Sequence, residues 1–264
     1  MRYILITLVM LLCFAPTLAT DYTLDENCTL SDALRAANAD LERGDCPAGD
    51  GADSITLTAD ITLTGELPRI ISEITIDGAG FTISGDGEWR VFYVDLGGSL
   101  TLQNIHLTEA RAHSEVSFIS VWGSTDYSRS GGAILVNRGS RLELVNSRFT
   151  DNAAADFGGV LDSWDSEVIV IDSEFSGNKA EDGGAIAAAL SVVTISNSTF
   201  DGNRVRDDGG ALQVFSSTAY VSDSQFTGNV AARNGGAIVV FRGTVEQSGN
   251  TFSDNVGGDC YGCE

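Results

Sequence analysis

The sequence has little proline, few basic residues and no long apolar run beyond its N-terminus. Only three of its 264 residues are proline. Lysine and arginine number 15 against 37 aspartates and glutamates, which gives a net charge of −22. Such a chain repels nucleic acid and anionic membrane surfaces, so we expect neither as a partner. Because no second apolar segment follows the N-terminal one, we expect no membrane span in the mature protein.

The N-terminus has the pattern of a secretory signal peptide, which we place at residues 1–20. Arg2 supplies the positive charge, residues 4–14 the apolar stretch, and Thr17-Leu18-Ala19 a small-residue cleavage site. We therefore expect a secreted or cell-surface protein. The sequence has five cysteines, and an even number remains once this segment is removed, which favours disulfides in an exported chain. The remaining ones are Cys28, Cys46, Cys260 and Cys263.

Two short motifs alternate five times between residues 131 and 255. The first glycines of five glycine pairs stand 27, 25, 26 and 26 residues apart, and the phenylalanines of five Phe-x-x-Asn motifs 26, 25, 26 and 26 apart. A fixed period of this length marks a solenoid in which each repeat is one turn of the chain. The glycines are Gly131, Gly158, Gly183, Gly209 and Gly235, the phenylalanines are Phe149, Phe175, Phe200, Phe226 and Phe252, and the asparagines are Asn152, Asn178, Asn203, Asn229 and Asn255.

The residues before each phenylalanine alternate between apolar and polar, as Leu142 and Leu144 do before Phe149. Alternation with many β-branched residues indicates strands, and about three short strands fit into one repeat. No ten-residue helical stripe occurs between residues 55 and 255, which excludes solenoids built from helices. The sequence therefore predicts an all-β fold, a right-handed parallel β-helix of about 26 residues per coil, with a short N-terminal capping α-helix.

The repeated motifs have a structural explanation in such a fold. Coils stacked about 4.8 Å apart place equivalent residues directly above one another. We therefore expect the five phenylalanines to form an interior aromatic column and the five asparagines to form a ladder of amide hydrogen bonds. The glycine pairs suit corners that need positive φ or a close backbone approach.

These patterns divide the chain into three regions. Residues 1–20 are the signal peptide, and residues 21–50 form a cap. In the cap, Thr29 and Asp32 resemble a capping box before a helix over residues 31–39, and a Cys28–Cys46 disulfide would pin this helix over the first coil. Residues 51–264 form the β-helix, with an irregular insertion at residues 111–130. A local Cys260–Cys263 disulfide closes its last turn; for these two cysteines, a redox pair or a zinc site is the less favoured alternative.

Two families resemble parts of the chain. Residues 27–39, Asn-Cys-Thr-Leu-Ser-Asp-Ala-Leu-Arg-Ala-Ala-Asn-Ala, resemble the CSLREA domain found at the start of exported bacterial β-helix proteins. Cys28, Leu30 and Ala33 match its name string, whereas Thr29, Ser31 and Asp32 depart from it. The Gly-Gly-Ala-Ile and Phe-x-x-Asn motifs resemble the repeats of chlamydial-type polymorphic membrane proteins. Together, the two resemblances imply an exported β-helix.

The insertion at residues 111–130 is the first candidate for binding. Asn104 and Asn146 are 42 residues apart where one repeat is near 26, so about sixteen residues are additional. Long insertions on solenoids often carry function, and aromatic side chains there can stack on a sugar or a partner protein. The alternative is that these residues form a strand of another coil. The candidate binding residues are Phe118, Trp122 and Tyr127.

Five acidic residues fall within the two positions that precede three successive glycine pairs. Stacking would bring their carboxylates within about 5 Å of those in the next coil. Calcium binds carboxylate oxygens in flexible geometry and would relieve this repulsion, so we consider calcium the one candidate cofactor. The competing interpretation is that Arg129, Arg206 and Arg233 pair with these acids. The calcium candidates are Asp156, Glu181, Asp182, Asp207 and Asp208.

The resemblances imply a non-enzymatic scaffold with an adhesive or ligand-binding role, whose partner is a carbohydrate or a surface protein. The alternative is a carbohydrate-active enzyme, a polysaccharide lyase or glycoside hydrolase, on the same fold. His106 and His113 lie outside any Gly-His-Gly string and no Arg-x-Lys string occurs, so we assign no catalytic residue. A third alternative, an ice- or crystal-binding face, needs regular outward threonine rows, and the threonine columns are irregular after Thr82.

Overall fold

Stacked parallel strands form the walls of a β-solenoid in the computed structural model, which describes residues 19–112 and 129–263. The chain makes about seven turns, about 26 residues apart, and the residues that the structure describes include one helix. The predicted parallel β-helix is therefore confirmed. The described part of the chain contains no helix that is long and apolar enough to cross a membrane.

Two of the walls are sheets A and B. Sheet A has nine strands and sheet B has seven. The strands of sheet A are Asp21–Thr23, Asp53–Thr56, Glu73–Asp77, Ser99–Gln103, Arg141–Val145, Glu167–Ile171, Val192–Ser196, Thr218–Ser222 and Thr244–Ser248. Those of sheet B are Phe92–Val94, Ile134–Asn137, Leu161–Trp164, Ile186–Ala189, Leu212–Phe215, Ile238–Phe241 and Cys260–Tyr261.

Sheet C, with eight strands, and sheet D, with four, complete the wall. The strands of sheet C are Ile61–Thr62, Thr82–Ser84, His106–Thr108, Arg148–Thr150, Glu174–Ser176, Thr199–Asp201, Gln225–Thr227 and Thr251–Ser253. Those of sheet D are Arg111–Ala112, Ala153–Ala154, Lys179–Ala180 and Arg204–Val205. A complete coil passes through sheets B, A, C and D in that order, so the prediction of about three strands per repeat missed the short fourth one.

Residues with positive φ build the corners between the sheets. Between sheets A and C they are asparagine or aspartate in five successive coils, residues that tolerate the left-handed region: Asn104, Asn146, Asp172, Asn197 and Asp223. The first glycine of each pair has positive φ, as in Gly183 at +60°. The second is packed so closely that a Cβ on Gly184 would overlap the carbonyl oxygen of Gly210. The glycine pairs therefore mark a corner with no room for side chains.

Apolar columns fill the interior of the solenoid. The five phenylalanines stack along sheet C, with successive ring centroids 4.8, 4.7, 4.8 and 5.2 Å apart. Leu107, Ile83 and Ile61 continue this column toward the N-terminal end. Each fully buried aromatic or aliphatic side chain contributes about 1.5–3 kcal/mol by the area removed from water, so this column is a main source of stability.

The asparagines form a ladder that is buried next to the phenylalanines. Asn178 Oδ1 accepts from Asn152 N at 3.0 Å and from Asn152 Nδ2 at 3.1 Å. Its own Nδ2 donates to Asn203 Oδ1 at 2.9 Å, and the pattern continues through Asn229 to Asn255. The ladder satisfies main-chain N–H groups at the corner between sheets C and D that would otherwise be buried without partners.

The cap begins with strand Asp21–Thr23, which pairs with Asp53–Thr56 and covers the first edge of sheet A. Helix Leu30–Ala39 follows, one residue earlier than predicted, and Thr29 Oγ1 accepts from Asp32 N at 3.2 Å as its N-cap. The helix buries Leu30, Ala33, Leu34, Ala36 and Ala37, so its apolar face closes part of the solenoid end.

The cysteines form two local pairs. Cys28 is joined to Cys46 across the helix, with their Cα atoms 4.9 Å apart, and Cys260 is joined to Cys263 in the last turn. The insertion differs from the prediction at its start, because Arg111–Ala112 is a strand of sheet D, paired with Ala153–Ala154. The predicted binding residues of the insertion, Phe118, Trp122 and Tyr127, lie outside the described residues.

Candidate functional site

The outer face of sheet B differs from the other outer faces because aromatic and buried charged side chains gather on it. Alternate residues of each strand point away from the interior and form two columns parallel to the solenoid axis. One column contains Tyr93, Leu135, Asp162, Ala187, Gln213, Val239 and Tyr261. The other contains Asn137, Trp164, Ala189, Phe215 and Phe241, and Asp95 lies at its N-terminal end.

Asp162 is a carboxylate where its column otherwise has apolar, amide or aromatic side chains. It is buried, and burial raises its pKa to about 7, while the positive charge of Arg90 acts in the opposite direction. A carboxyl group with this pKa exchanges its proton near neutral pH. Asp162 is therefore the described residue whose chemistry departs furthest from that of a surface acid.

Arg90 lies beside this column and is partly buried. Its Nε donates to Gly131 O at 2.9 Å and its Nη2 to Ser130 O at 2.7 Å. Burial lowers the pKa of Arg90, and the charge of Asp162 is the largest opposing influence. These bonds fix the guanidinium at the corner where the chain enters sheet B, so a fixed positive charge lies close to the Asp162 carboxyl group.

A second charged group surrounds Asp95 at the N-terminal end of the face. Its buried carboxylate lies 3.2 Å from Arg69 Nη1 and 3.6 Å from Arg138 Nε. The Arg69 guanidinium lies over the Tyr93 ring, 4.5 Å from the centroid, which is a cation–π arrangement. Tyr93 OH accepts from Asn137 Nδ2 at 3.2 Å. We call Arg69, Arg90, Tyr93, Asp95, Arg138, Asn137 and Asp162 the polar cluster.

Two acceptors in the polar cluster have unused capacity. Asp95 Oδ1 and Asn137 Oδ1 are buried, and neither has a hydrogen-bond partner among the described residues, although Asp95 Oδ1 is the atom that lies 3.6 Å from Arg138 Nε. A buried acceptor without a donor costs about 1–3 kcal/mol, so such groups favour a donor from outside the chain. Hydroxyl and amide groups of a ligand are donors of this kind.

Aromatic side chains occupy the other end of the same face. Phe215 and Tyr261 are 39% and 49% exposed, and Trp164 and Phe241 are half-buried. The Phe241 and Tyr261 rings are tilted to each other with centroids 5.8 Å apart. We call Trp164, Phe215, Phe241 and Tyr261 the aromatic strip. It runs along the solenoid axis from the polar cluster to the last turn.

Four of the five corner acids predicted as calcium candidates, Asp156, Asp182, Asp207 and Asp208, have partners within the protein. Asp156 lies 3.1 Å from Arg129 and Asp207 lies 2.9 Å from Arg233. Asp182 Oδ1 accepts from Asp208 N at 2.9 Å, and burial followed by the charges of Asp207, Asp208 and Glu181 raises the pKa of Asp182. Within residues 19–112 and 129–263, no group of three or more His, Cys, Asp or Glu side chains is arranged to hold a metal ion.

Sequence reasoning missed the polar cluster and the aromatic strip. The sequence did contain a signal for Asp162, which stands four positions after Gly158. At the same position after the first glycine, the other repeats have an uncharged residue: Leu135, Ala187, Gln213 or Val239. Arg69 and Arg90 precede the regular array, so no repeat position identified them. The aromatic strip also had a signal, because Trp164, Phe215 and Phe241 each stand six positions after the first glycine of a pair, at Gly158, Gly209 and Gly235. No glycine pair precedes Asp95, so only the register of the sheet brings it onto the same face.

Comparison with known proteins identifies the repeated region. Residues 92–263 match the family model described as the right handed beta helix region, which is well over half of the chain. The match runs from the first strand of sheet B to the last turn, and it includes the aromatic strip. No curated protein and no solved structure matches the chain.

Proposed function

The chain belongs to the right-handed β-helix family, and from this premise we propose that it is a secreted or cell-surface, non-enzymatic scaffold that binds carbohydrate. The fold by itself does not decide function, so the proposal rests on the outer face of sheet B. The observation that carries it is the aromatic strip, in which Phe215 and Tyr261 are exposed on the outer face of sheet B.

A glycan suits this face for chemical reasons. The C–H faces of a sugar ring are apolar and pack on aromatic rings, whereas its hydroxyl groups donate to carboxylate and amide oxygens. The aromatic strip offers the first surface, and Asn137 Oδ1 at its end is an acceptor without a donor among the described residues. Because the sheet holds these groups in place before binding, little conformational entropy is lost when a ligand binds.

The test measures retention of the purified chain on neutral and acidic polysaccharides, with and without calcium. We expect the double variant Phe215→Ala/Tyr261→Ala to lose retention about tenfold or more, as the loss of two stacking contacts of about 0.5–1.5 kcal/mol each implies. Phe157→Ala is the matched control, because Phe157 is 42% exposed at the corner before Gly158, away from the strip. Equal retention of the double variant and the wild type would refute carbohydrate binding at this face.

A carbohydrate-active enzyme is the second candidate, and Asp162 is the observation that favours it. A carboxyl group with a pKa of about 7 can donate or accept a proton at neutral pH, and the nearby Arg90 can stabilise negative charge on a bound substrate. The same polysaccharides are therefore assayed for chain cleavage. Cleavage that follows a pH profile centred near 7 and disappears in Asp162→Asn would establish the enzyme; retention without cleavage would leave the scaffold.

Export is part of the proposal, and its support is sequence-based. Residues 1–20 resemble a signal peptide, residues 27–39 resemble a domain of exported proteins, and the four remaining cysteines are suited to an oxidising compartment. N-terminal sequencing of the chain recovered outside the producing cell tests this directly. We expect the first residue near Thr20, and a chain that stays inside the cell with Met1 intact would overturn export.

A further inference from the structure

The N-terminal end of the solenoid is covered unevenly, and a groove remains between the cap and the first coil. Strand Asp21–Thr23 covers the edge of sheet A, but the first strand of sheet C, Ile61–Thr62, has no neighbour on its outer side among the described residues. The groove has a volume of about 630 Å³ and is lined by residues 24–26, 29–31, 58–59 and 61–67. Ligand sites of proteins typically measure about 300–1,000 Å³.

The strand at this edge has main-chain groups available for pairing. Leu63 N donates a hydrogen bond to Ser84 O at 2.9 Å, so the main-chain polar groups of Leu63 and Ile61 face the second coil. Because alternate residues of a strand bond to opposite neighbours, the N–H and C=O of Thr62 face the groove. An unpaired edge of this kind is a template for an added strand.

The floor of the groove is the uncovered end of the interior column. Ile61 stands in register with Ile83, which begins the line that continues to the stacked phenylalanines, yet Ile61 is only half-buried. Leu67 is half-buried as well and packs against the same core, and Leu24 and Leu30 complete the apolar wall. An apolar side chain placed on Ile61 would therefore continue the core by one layer.

The rim of the groove is acidic. Asp25, Glu26 and Glu66 line it, and none of the three forms an ion pair in the described part of the chain. The Asp25 carboxylate accepts from Cys28 N and Asn27 N, both at 2.8 Å, and these bonds lower its pKa, so it stays charged. Charge complementarity thus favours a cationic partner.

We propose that this groove binds an extended basic peptide of a partner protein, which adds one strand to sheet C at Thr62, places an apolar residue on Ile61 and directs Lys or Arg toward Asp25 and Glu26. Main-chain bonds would supply affinity, and the apolar floor and acidic rim would supply specificity, as in other cases of strand addition. This site is independent of the outer face of sheet B.

The test uses labelled ten-residue peptides that alternate Val with Lys, and matched peptides with Glu in place of Lys, titrated against the full chain by fluorescence anisotropy. We expect the Lys peptides to bind and the Glu peptides to bind at least tenfold more weakly. Asp25→Asn/Glu26→Gln should weaken binding of the Lys peptides about threefold to tenfold, because two attractive charges are removed. The control Glu42→Gln/Asp45→Asn removes the same charge elsewhere in the cap and should change binding less than twofold.

A second pair of variants tests the strand edge. Thr62→Pro removes an N–H that has no partner in the sheet, so the fold should persist, while peptide affinity should fall about tenfold or more. Thr62→Val keeps the N–H and should bind as the wild type does. The proposal is overturned if no Lys peptide binds, if Thr62→Pro binds normally, or if the two acidic double variants weaken binding equally. Dimerisation that Thr62→Pro abolishes would show that a second copy occupies the groove, which also overturns it.

Discussion

Asn178 Nδ2 donates to the main-chain carbonyl oxygen of Phe149 at 3.0 Å, a hydrogen bond that joins the two columns running through the solenoid. The same bond recurs from Asn203 to Phe175, from Asn229 to Phe200 and from Asn255 to Phe226. The asparagine therefore serves two purposes, because its side chain spans neighbouring coils and also fixes the strand that carries the phenylalanine. This geometry explains why the two residues occur three positions apart in every repeat.

Truncating a central asparagine should destabilise the solenoid strongly. Asn203 accepts from Asn178 N and Nδ2 and donates to Phe175 O and Asn229 Oδ1, all in a buried corner. Asn203→Ala leaves these groups without partners, so we expect the free energy of unfolding to fall by about 2–4 kcal/mol in urea titrations. The same change at the partly exposed Asn255 should cost less, and equal losses at both positions would contradict the importance of burial.

The aromatic column should show the same dependence on position. Phe200 is fully buried between Phe175 and Phe226, whereas Phe252 is half-buried at the end of the column. We expect Phe200→Ala to lower the free energy of unfolding by about 3–5 kcal/mol and Phe252→Ala by clearly less, because the end position can relax toward solvent. Thermal unfolding followed by circular dichroism compares the two, and a larger loss at Phe252 would count against a continuous interior column.

The interior of the fold was readable from sequence because each of its features repeats at one spacing. Phe149 and Asn152 recur in five coils, and in a parallel solenoid a constant spacing means direct stacking. The serine ladder was not recognised, although Ser147 N donates to Ser173 Oγ and Ser173 N to Ser198 Oγ, both at 3.2 Å. Serine is common in turns for many reasons, so its recurrence alone does not indicate a ladder.

The polar cluster was hidden for a different physical reason. Its members come from different repeats and from the irregular N-terminal coils, as Arg69 and Asp95 do. Contacts of this kind depend on how the ends of the strands are arranged beside the corners of the solenoid. The period of 26 residues gives the spacing of equivalent positions, but it does not give this arrangement. Only the register of sheet B and the course of the first coils place them on one face.

The cap disulfide should stabilise the chain more than the terminal one. The Cys28–Cys46 bond closes a loop with a sequence separation of 18, and the Cys260–Cys263 bond closes one of 3. In the chain-entropy model, we expect Cys28→Ser/Cys46→Ser to cost about 3 kcal/mol and Cys260→Ser/Cys263→Ser less. Denaturant titrations of the two double variants measure this. A larger loss in the free energy of unfolding for Cys260→Ser/Cys263→Ser than for Cys28→Ser/Cys46→Ser would contradict this prediction.

Asp162 should make stability depend on pH in a direction opposite to that of an ordinary ion-paired acid. Its pKa in the folded protein is about 7, above the value of 3.8 expected for an unperturbed side chain. Between these values the unfolded chain has lost the proton and the folded chain keeps it. The contribution of Asp162 to the free energy of unfolding therefore falls as the pH rises from about 4 to about 7, and it levels off above that.

Asp162→Asn removes this titration while keeping the shape of the protonated side chain. We expect the stability of the variant relative to the wild type to rise between pH 4.5 and pH 7, by an amount on the order of a few kcal/mol, because each pKa unit corresponds to about 1.4 kcal/mol. Urea titrations at several pH values give this difference directly. Asp165→Asn, a change at an exposed acid in the neighbouring corner, serves as the control and should track the wild type. A constant difference between Asp162→Asn and the wild type across this window would show that Asp162 is ionised in the folded protein, and it would remove the basis for a proton-transfer role at this position.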